Sequence, residues 1–266
     1  MSAHLDATFA AAQAEDRAVL IGYFPAGYPT VSESIDIIAA MVRGGVDVVE
    51  IGLPYSDPLM DGPVIQRAVE AALAAGVRIT DVLEVARATA ATGAPTLVMS
   101  YWNPIERYGV TRFASELAAA GGVGVINPDL TPEEADAWIA ATDAAGIARV
   151  FLVAPSSTPE RLEVVAGVTT GFVYAASLMG VTGARTSVSD QARVLVQRTR
   201  TITDRPIAVG LGVSTPEQAA QIASYADGVI VGSAFVRAVM DSQDHAAALV
   251  AVERLAAELA AGVRRG

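Results

Sequence analysis

Three carboxylates close together in the sequence are suited to proton transfer. Glu50 lies inside the apolar run Val48–Leu53, and Asp57 and Asp61 follow in a segment punctuated by prolines and a glycine. Burial removes water from a carboxylate and raises its pKa toward neutrality, where the group can both give and accept a proton. We therefore expect Glu50 and an aspartate of this segment to form an acid–base pair. The alternatives are a paired structural carboxylate and a solvated acidic turn.

Glycine groups follow three later apolar runs. They are Gly180–Gly183, Gly210–Gly212 and Gly232–Ser233, and each precedes a predicted helix. Glycine lets the backbone approach a ligand closely, and the N–H groups at a helix N-terminus bind anions. One such pair is typical of an ordinary cap or turn. Three of them in neighbouring loops predict a phosphate site.

Aromatic and aliphatic residues lie at or near the ends of the apolar runs. They are Tyr23, Tyr101, Trp102 and Tyr174, with Met99, Ile126 and Leu152 deeper in the runs. Any one of them alone is more typical of a hydrophobic core than of a binding site. As a group they predict a pocket for a flat ring.

Missing residue types exclude several kinds of chemistry. All 18 positively charged residues are arginines, so a Schiff-base aldolase and a lysine-anchored pyridoxal enzyme are excluded. The two histidines, His4 and His245, lie near opposite ends of the chain, which makes a histidine base or metal cluster difficult to build. The sequence has no cysteine and therefore no disulfide, thiolate metal site or cysteine nucleophile. These absences exclude a lysine-anchored cofactor and a thiolate metal site and make a histidine metal site difficult to build; the sequence predicts no metal site.

The overall charge narrows the choice of partners. A net charge of −11 argues against nucleic acid and anionic membranes, which require a basic face. A small anionic substrate is still compatible, because backbone N–H groups can hold a phosphate. No apolar run reaches the ~18 residues of a membrane span, and the N-terminus lacks the pattern of a signal peptide. We expect a cytoplasmic protein.

Short apolar runs and amphipathic segments alternate along the whole chain and predict the strands and helices that carry these residues. Continuous apolar runs are typical of parallel strands covered on both faces. The predicted strands are Val19–Phe24, Val48–Leu53, Thr96–Tyr101, Val123–Asn127, Val150–Ala154, Gly171–Ala176, Pro206–Gly210 and Gly228–Val231. Helix starts with capping-box spacing occur at Thr30, Thr131, Ser157 and Thr215. Further helices are predicted over 2–15 and 244–263.

Eight strands that each precede a helix predict one (β/α)₈ TIM barrel over residues 1–266, with an extra N-terminal helix. An open doubly wound sheet is the alternative. In such barrels the chemistry lies at the carboxyl ends of the strands, where the loops described above would meet.

These segments closely resemble the tryptophan synthase α-subunit family. The most specific match is the segment from Glu50 to Gln66. Other matches in order and spacing are Tyr23–Pro29, Ser100–Pro104, Pro128–Leu130, Gly180–Gly183, Gly210–Gly212 and Gly232–Ser233. The resemblance covers essentially the whole chain and implies a cofactor-free lyase that splits indole-3-glycerol phosphate into indole and glyceraldehyde 3-phosphate.

The resemblance also implies roles for single residues. Glu50 would protonate C3 of the indole ring and take the proton of the glycerol hydroxyl, and Asp61 would receive or stabilise the proton on the indole nitrogen. Thr182 would help to order Asp61 when its loop closes. The implied phosphate ligands are Gly183, Gly212, Gly232 and Ser233, and the implied indole pocket is Tyr23, Met99, Tyr101, Leu152 and Tyr174.

The family further implies a partner, a pyridoxal-phosphate β subunit that receives indole through a tunnel in an αβ heterotetramer. The implied contact residues are Pro54, Asp57, Asn103, Pro104 and Asp129. Two segments depart from the family pattern. Asn127 stands where an apolar residue is expected, in a region that also lacks an aspartate near position 123. Leu178 and Met179 stand where many members carry an arginine.

Three other functions stay open at this point. The first is a lyase of the same chemistry that works alone and releases free indole. The second is another phosphate-binding barrel, such as a sugar-phosphate isomerase or epimerase, against which the Glu50–Asp61 segment argues. The third is a non-catalytic barrel that regulates a partner.

Overall fold

A parallel β-sheet runs through the computed structural model, which describes residues 3–176, 185–210 and 212–265. Within these ranges the strands are β1 (Val19–Pro25), β2 (Val48–Gly52), β3 (Thr96–Met99), β4 (Gly124–Ile126), β5 (Ala148–Val150), β6 (Leu152–Val153), β7 (Val173–Ala176), β8 (Ile207–Gly210) and β9 (Gly228–Val231). Their order in the sheet is β5-β4-β3-β2-β1-β9-β8-β7-β6. All of the strand pairings are parallel.

The two strands at the ends of this order are neighbours in the chain. β5 pairs with β4, β6 pairs with β7, and only Phe151 separates β5 from β6. The two segments therefore form one interrupted stave, and the sheet closes as a barrel of eight staves. The predicted barrel is confirmed, and the open doubly wound sheet is wrong. The predicted fifth strand, Val150–Ala154, is the one whose boundaries and continuity differ most from the structure.

Helices surround this barrel. Among the described residues they are α1 (Ala3–Ala14), α2 (Val31–Arg43), α3 (Pro63–Ala74), α4 (Ile79–Ala90), α5 (Trp102–Tyr108), α6 (Val110–Ala119), α7 (Asp136–Ala145), α8 (Pro159–Val168), α9 (Arg185–Arg200), α10 (Pro216–Ala223), α11 (Ser233–Met240) and α12 (His245–Gly262), with one 3₁₀ turn over Pro132–Glu134. No helix in these parts of the chain combines the length and apolarity needed to cross a membrane.

Helix starts follow the sequence pattern with two exceptions. Thr30 and Thr215 each accept the backbone N–H of the residue three positions on, as the capping box predicts. The cap of α8 is Thr158 instead of Ser157, one residue later than predicted. Thr131 makes no capping bond through its side chain and precedes the 3₁₀ turn, so the prediction of an α-helix at this position is wrong.

Strand alternation divides the buried residues into two layers. Val49 and Ile51 pack in the outer layer, between the barrel and the helices, whereas Val48 packs in the inner layer with residues of the other staves. Because successive side chains of a strand point to opposite faces, Glu50 faces the barrel interior like Val48. At the amino end of the barrel, Leu5 and Phe9 of the predicted extra helix α1 fill the same inner layer. The carboxyl end of the barrel lies open above it.

Candidate active site

A cavity of about 460 Å³ opens at the carboxyl ends of the strands. This volume lies within the range of small-molecule sites. Its walls come from most of the staves and from the loop between β2 and α3. The lining residues are Tyr23, Glu50, Met60, Asp61, Gly62, Pro63, Ile65, Met99, Ile126, Pro128, Leu152, Tyr174, Ala176, Gly210, Gly212, Ile230, Gly232 and Ser233.

Glu50 stands in the wall of this cavity at the middle of β2. Its register partners are Tyr23 on β1 and Leu97 on β3, and the residue is only 2% exposed. Its Oε2 atom has no hydrogen-bond partner among the described residues. Burial, with a smaller contribution from the negative charge of Asp61, raises the pKa of Glu50 from 4.5 to about 8. Glu50 is therefore a neutral acid at neutral pH, with a proton to give.

Asp61 reaches the same cavity from the loop that precedes α3. Gln66, in the first turns of α3, donates its side-chain amide to the Asp61 carbonyl at 2.7 Å and so holds the backbone of this residue. Burial raises the pKa of the Asp61 carboxyl from 3.8 to about 6, and a hydrogen-bonding interaction with the Tyr101 hydroxyl opposes this rise. Asp61 is thus mostly ionised at neutral pH. The cavity holds one carboxylic acid and one carboxylate, a proton donor beside a charge acceptor.

Two tyrosines, one on β1 and one on β7, line the cavity. The Tyr23 ring covers Gly52 of β2 and the Tyr174 ring covers Gly210 of β8, and in each case a side chain on the glycine would collide with the tyrosine hydroxyl. Burial raises the pKa values of both tyrosines well above their ordinary value, so both hydroxyls stay protonated. The glycines therefore leave room for the hydroxyl ends of the two rings, and both rings line the cavity.

Met99 and Leu152 also line the cavity, and Leu152 is the register partner of Tyr174. Tyr101 does not lie in the wall of the cavity, where the sequence analysis expected it. It is 2% exposed and does not belong to the residues that line the cavity. Its hydroxyl accepts the backbone N–H groups of Leu59 at 3.1 Å and of Met60 at 3.0 Å. The side chain thus lies behind the loop that carries Asp61.

The glycine loops meet at one side of the same cavity. Gly212 has a left-handed backbone, with φ of 67°, and Gly232 is the N-cap of α11. Ser233 is the first residue of α11, so the free N–H groups of this helix face the cavity at its N-terminus. Gly183 and Thr182, together with Leu178 and Met179, lie outside the described residues. The part of the site that is described offers backbone donors to an anion, as predicted for a phosphate.

The residues expected to contact a partner gather beside the mouth of the cavity. Asn103 donates its amide to the Tyr55 hydroxyl at 3.3 Å, and Asp129 accepts the Trp102 N–H at 2.9 Å. Asp57, Asn103 and Asp129 are exposed and Pro104 is half-buried, whereas Pro54 is buried.

Sequence reasoning did not single out two exposed apolar side chains in this region. They are Leu59, which is 80% exposed, and Met60, which is 39% exposed. Both lie between Asp57 and Asp61 in the acidic Pro-rich segment, where two isolated apolar residues show no periodic pattern. It also missed Ile65 of α3 and Ile230 of β9, which line the cavity. Strand alternation in β9 was a usable signal for Ile230.

Comparison with known proteins gives one consistent answer. A family profile described as tryptophan synthase alpha chain matches residues 9–264. The tryptophan synthase alpha chain of Thermobifida fusca is 62% identical over 258 residues, which are 96% of this chain and 96% of the relative. That of Mycobacterium avium is 56% identical over 264 residues, covering 99% of this chain and 96% of the relative.

Solved structures agree with this result. A chain of Mycobacterium tuberculosis tryptophan synthase superposes with a TM-score of 0.92 at 52% identity, covering 100% of both chains. Tryptophan synthase subunit alpha from Legionella pneumophila superposes with a TM-score of 0.88 at 32% identity, covering 98% of both chains. The similarity therefore extends over the barrel, the cavity and the loops around it.

Proposed function

The chain belongs to the tryptophan synthase alpha chain family, and from this premise we propose which of its residues carry out the family's reaction. The reaction is that of an indole-3-glycerol-phosphate lyase in tryptophan biosynthesis. It needs no cofactor on this chain, and the pyridoxal phosphate of the complete synthase belongs to the β subunit. The observation that carries the proposal is the pair of carboxyl groups, Glu50 and Asp61, that share one cavity with pKa values of about 8 and about 6.

Glu50 is the general acid of the first step. Its proton passes to C3 of the indole ring, which binds it with the electron pair of the C2=C3 double bond. The lone pair of the ring nitrogen then forms a C2=N double bond, which produces the indoleninium form. The carboxyl group has its proton available because burial keeps it neutral at pH 7.

Glu50 is also the general base of the second step. As the bond between C3 and the glycerol carbon breaks, its electron pair returns to the ring and nitrogen. The hydroxyl on that carbon becomes the aldehyde of glyceraldehyde 3-phosphate and gives its proton to the Glu50 carboxylate. The proton lost in the first step is recovered, so the cycle is balanced. The ring itself accepts the electrons, so the reaction needs no lysine, and the chain has none.

Asp61 stabilises the positive charge that develops on the indole nitrogen. An ionised carboxylate at the edge of a low-dielectric cavity interacts strongly with such a charge. The charge grows only when C3 is protonated, so this interaction favours the transition state over the bound substrate. Asp61 must therefore be ionised while Glu50 is protonated, which is the combination that the two pKa values favour near neutral pH.

The remaining residues of the cavity hold the substrate. The indole ring lies among Tyr23, Tyr174, Met99 and Leu152, which all line the cavity. The phosphate lies against the backbone N–H groups at Gly212 and at the start of α11, Gly232 and Ser233. Gly183 as a further phosphate ligand and Thr182 as the residue that orders Asp61 stay expectations from the sequence, because both lie outside the described residues.

The partner is a β subunit that carries pyridoxal phosphate and receives the indole. The related Mycobacterium tuberculosis structure is a tryptophan synthase. The exposed side chain of Leu59 beside Asp57, Asn103 and Pro104 supports a docking face at this side of the barrel, because exposed apolar side chains grouped with polar ones are typical of interfaces. Pro54 supports that face from beneath, and Asp129 lies at its edge. The cytoplasmic location stays a prediction from the sequence.

The test is indole release from indole-3-glycerol phosphate by the purified chain, with and without a pyridoxal-phosphate β subunit. Wild type is compared with Glu50→Gln, which keeps the shape but not the proton transfer, and with Glu84→Gln on the exposed face of α4 as the matched control. We expect Glu50→Gln to lose at least about 100-fold in kcat, and Glu84→Gln to behave as wild type.

The comparison with and without the β subunit distinguishes a synthase subunit from a lyase that works alone and from a regulatory barrel. Release that rises sharply with the β subunit supports the synthase role. Fast release that the β subunit does not change indicates a lyase that works alone. If Glu50→Gln releases indole like wild type, the proposed role of Glu50 is wrong. If no variant releases indole while the β subunit is still stimulated, the chain is a regulatory barrel.

A further inference from the structure

The Tyr101 side chain is fixed at the back of the site, although its ring does not line the cavity. Tyr101 lies between β3 and α5 in a turn that is held to the next stave by three hydrogen bonds. Ser100 donates its N–H to the Ile126 carbonyl at 3.0 Å, and the Asn127 amide donates to the Ser100 carbonyl at 3.0 Å. The third bond is the one from the Trp102 N–H to Asp129 at 2.9 Å. These bonds leave the backbone of Tyr101 little freedom.

Asn127 owes its place to this turn. It is 1% exposed, and it replaces the apolar residue that the family pattern leads one to expect. A buried amide is costly unless it is hydrogen-bonded, and its donor group finds that partner in the Ser100 carbonyl. Its oxygen has no partner among the described residues. The departure at Asn127 therefore strengthens the support of Tyr101 at a cost in desolvation.

The loop that covers the Tyr101 hydroxyl is exposed, whereas Tyr101 itself is buried. Leu59 is 80% exposed and Met60 39% exposed, so packing of their side chains does little to hold the backbone in place. The N–H groups of both residues are nevertheless directed at one buried atom, the Tyr101 hydroxyl oxygen, at 3.1 and 3.0 Å. Asp61 is the next residue along the chain. Gln66 holds Asp61 from the α3 side through the Asp61 carbonyl, and on the other side the position of the Asp61 carboxylate depends on the bonds made by Leu59 and Met60.

The hydroxyl group has the right number of sites for this arrangement. It offers two lone pairs and one proton. The lone pairs accept the N–H groups of Leu59 and Met60. The proton stays available for the Asp61 carboxylate, whose pKa is lowered by the Tyr101 hydroxyl. Phenylalanine would preserve the ring and its contact with the Tyr55 ring, whose centroid lies 5.2 Å away, but would remove all three interactions.

We propose that Tyr101 is the positioning residue of the lyase reaction: its hydroxyl fastens the exposed Leu59–Met60 backbone to the barrel and directs the Asp61 carboxylate toward the indole nitrogen. This inference rests on the proposed role of Asp61. Tyr101 acts through Asp61 and does not itself touch the substrate. Losing the hydroxyl should therefore lower kcat far more than it raises KM.

The experiment compares wild type, Tyr101→Phe, Asp61→Asn and Tyr108→Phe in indole release by the full chain between pH 5.5 and 9. Tyr108 provides the matched control, because its hydroxyl contacts Glu116 between α5 and α6, away from the cavity. For Tyr101→Phe we expect kcat to fall about 10- to 100-fold, as misplacement of a reacting group does. KM should stay within about twofold, since the ring pocket is intact. The acidic limb of the pH–rate profile should move to higher pH by about one unit, because the Asp61 carboxylate loses a hydrogen-bond donor and its pKa rises.

Amide hydrogen exchange gives an independent readout. In wild type the N–H groups of Leu59 and Met60 should be protected despite their exposed side chains, and in Tyr101→Phe this protection should disappear. Unprotected amides in wild type would overturn the proposal even if the variant does not fold. A Tyr101→Phe enzyme with wild-type kcat and an unmoved acidic limb would overturn it as well, and so would a loss of thermal stability alone. Full activity of Asp61→Asn would instead refute the role of Asp61 itself.

Discussion

The opposed protonation states of the two carboxyl groups should be visible in the pH dependence of indole release. Activity requires a protonated Glu50, which is present below its pKa of about 8, and an ionised Asp61, which is present above its pKa of about 6. The rate therefore falls on the acidic side as Asp61 gains a proton and on the alkaline side as Glu50 loses one. We expect a bell-shaped profile of kcat/KM with its maximum near pH 7.

The gain in protonated Glu50 at pH 7 follows from the burial of this side chain, which raises its pKa. With its ordinary pKa of 4.5, about 0.3% of the Glu50 side chains would be protonated at pH 7. With a pKa of about 8 the protonated fraction is about 90%. Burial therefore raises the population of the active acid roughly 300-fold. The second cause of the shift is the negative charge of Asp61, so Asp61→Asn should lower the pKa of Glu50.

Two measurements test this reasoning together. The first is the profile of kcat/KM between pH 5 and 9 for wild type and for Glu84→Gln, which should coincide. The second is direct titration of Glu50 by carboxyl ¹³C NMR, with Glu50→Gln to assign the signal and Asp61→Asn to measure the coupling. A flat profile over this range would refute the reasoning. A Glu50 signal that titrates near 4.5, or that does not move in Asp61→Asn, would refute the structural account of the shift.

Three further outcomes are expected. The folded chain keeps a proton on Glu50 that the unfolded chain releases, so wild type should lose stability as the pH rises from about 4.5 to about 8. Glu50→Gln should therefore melt roughly 5 °C or more above wild type at pH 8.5, with a smaller difference at pH 5 in calorimetry; equal melting temperatures at pH 8.5 would contradict this. Gly52→Ala should push the Tyr23 ring into the cavity and raise KM for the substrate at least about 10-fold. Gly167→Ala, where an added methyl group meets nothing within 4 Å, serves as the control. Gly212→Ala strains a backbone with φ of 67° and should cost about 1 kcal/mol of stability in urea unfolding while raising KM more than it lowers kcat. An unchanged KM would remove Gly212 from the phosphate site.

Much of this protein can be predicted from local sequence. The continuous apolar runs predict parallel strands because both faces of such strands are covered. Seven of the eight predicted strands begin and end within two residues of the observed bounds, and the fifth is divided in two. The caps at Thr30 and Thr215 depend on a side chain and a backbone group three residues apart, so their spacing is sufficient to predict them. Glu50 is recognisable because a carboxylate within an apolar strand must be buried.

Other features depend on groups that are far apart in the chain. The break at Phe151 and the 3₁₀ turn after Thr131 follow from how neighbouring staves and helices pack, which local patterns do not contain. Tyr101 looks like a pocket residue by its position at a strand end. Whether its ring lines the cavity or lies behind a loop depends on the path of the segment before Asp61, about 40 residues earlier in the chain.

The residue pattern alone is sufficient to predict an alternating α/β barrel with an acid in its second strand and glycine loops near its end. The difference between the two acids depends on the folded barrel. A pKa is set by the water a group loses and by the charges it faces, and both depend on residues brought together from separate staves. The pKa of Glu50 is raised to about 8 because this residue lies within the barrel. The pKa of Asp61 is raised only to about 6 because this residue is less buried and the Tyr101 hydroxyl opposes the rise.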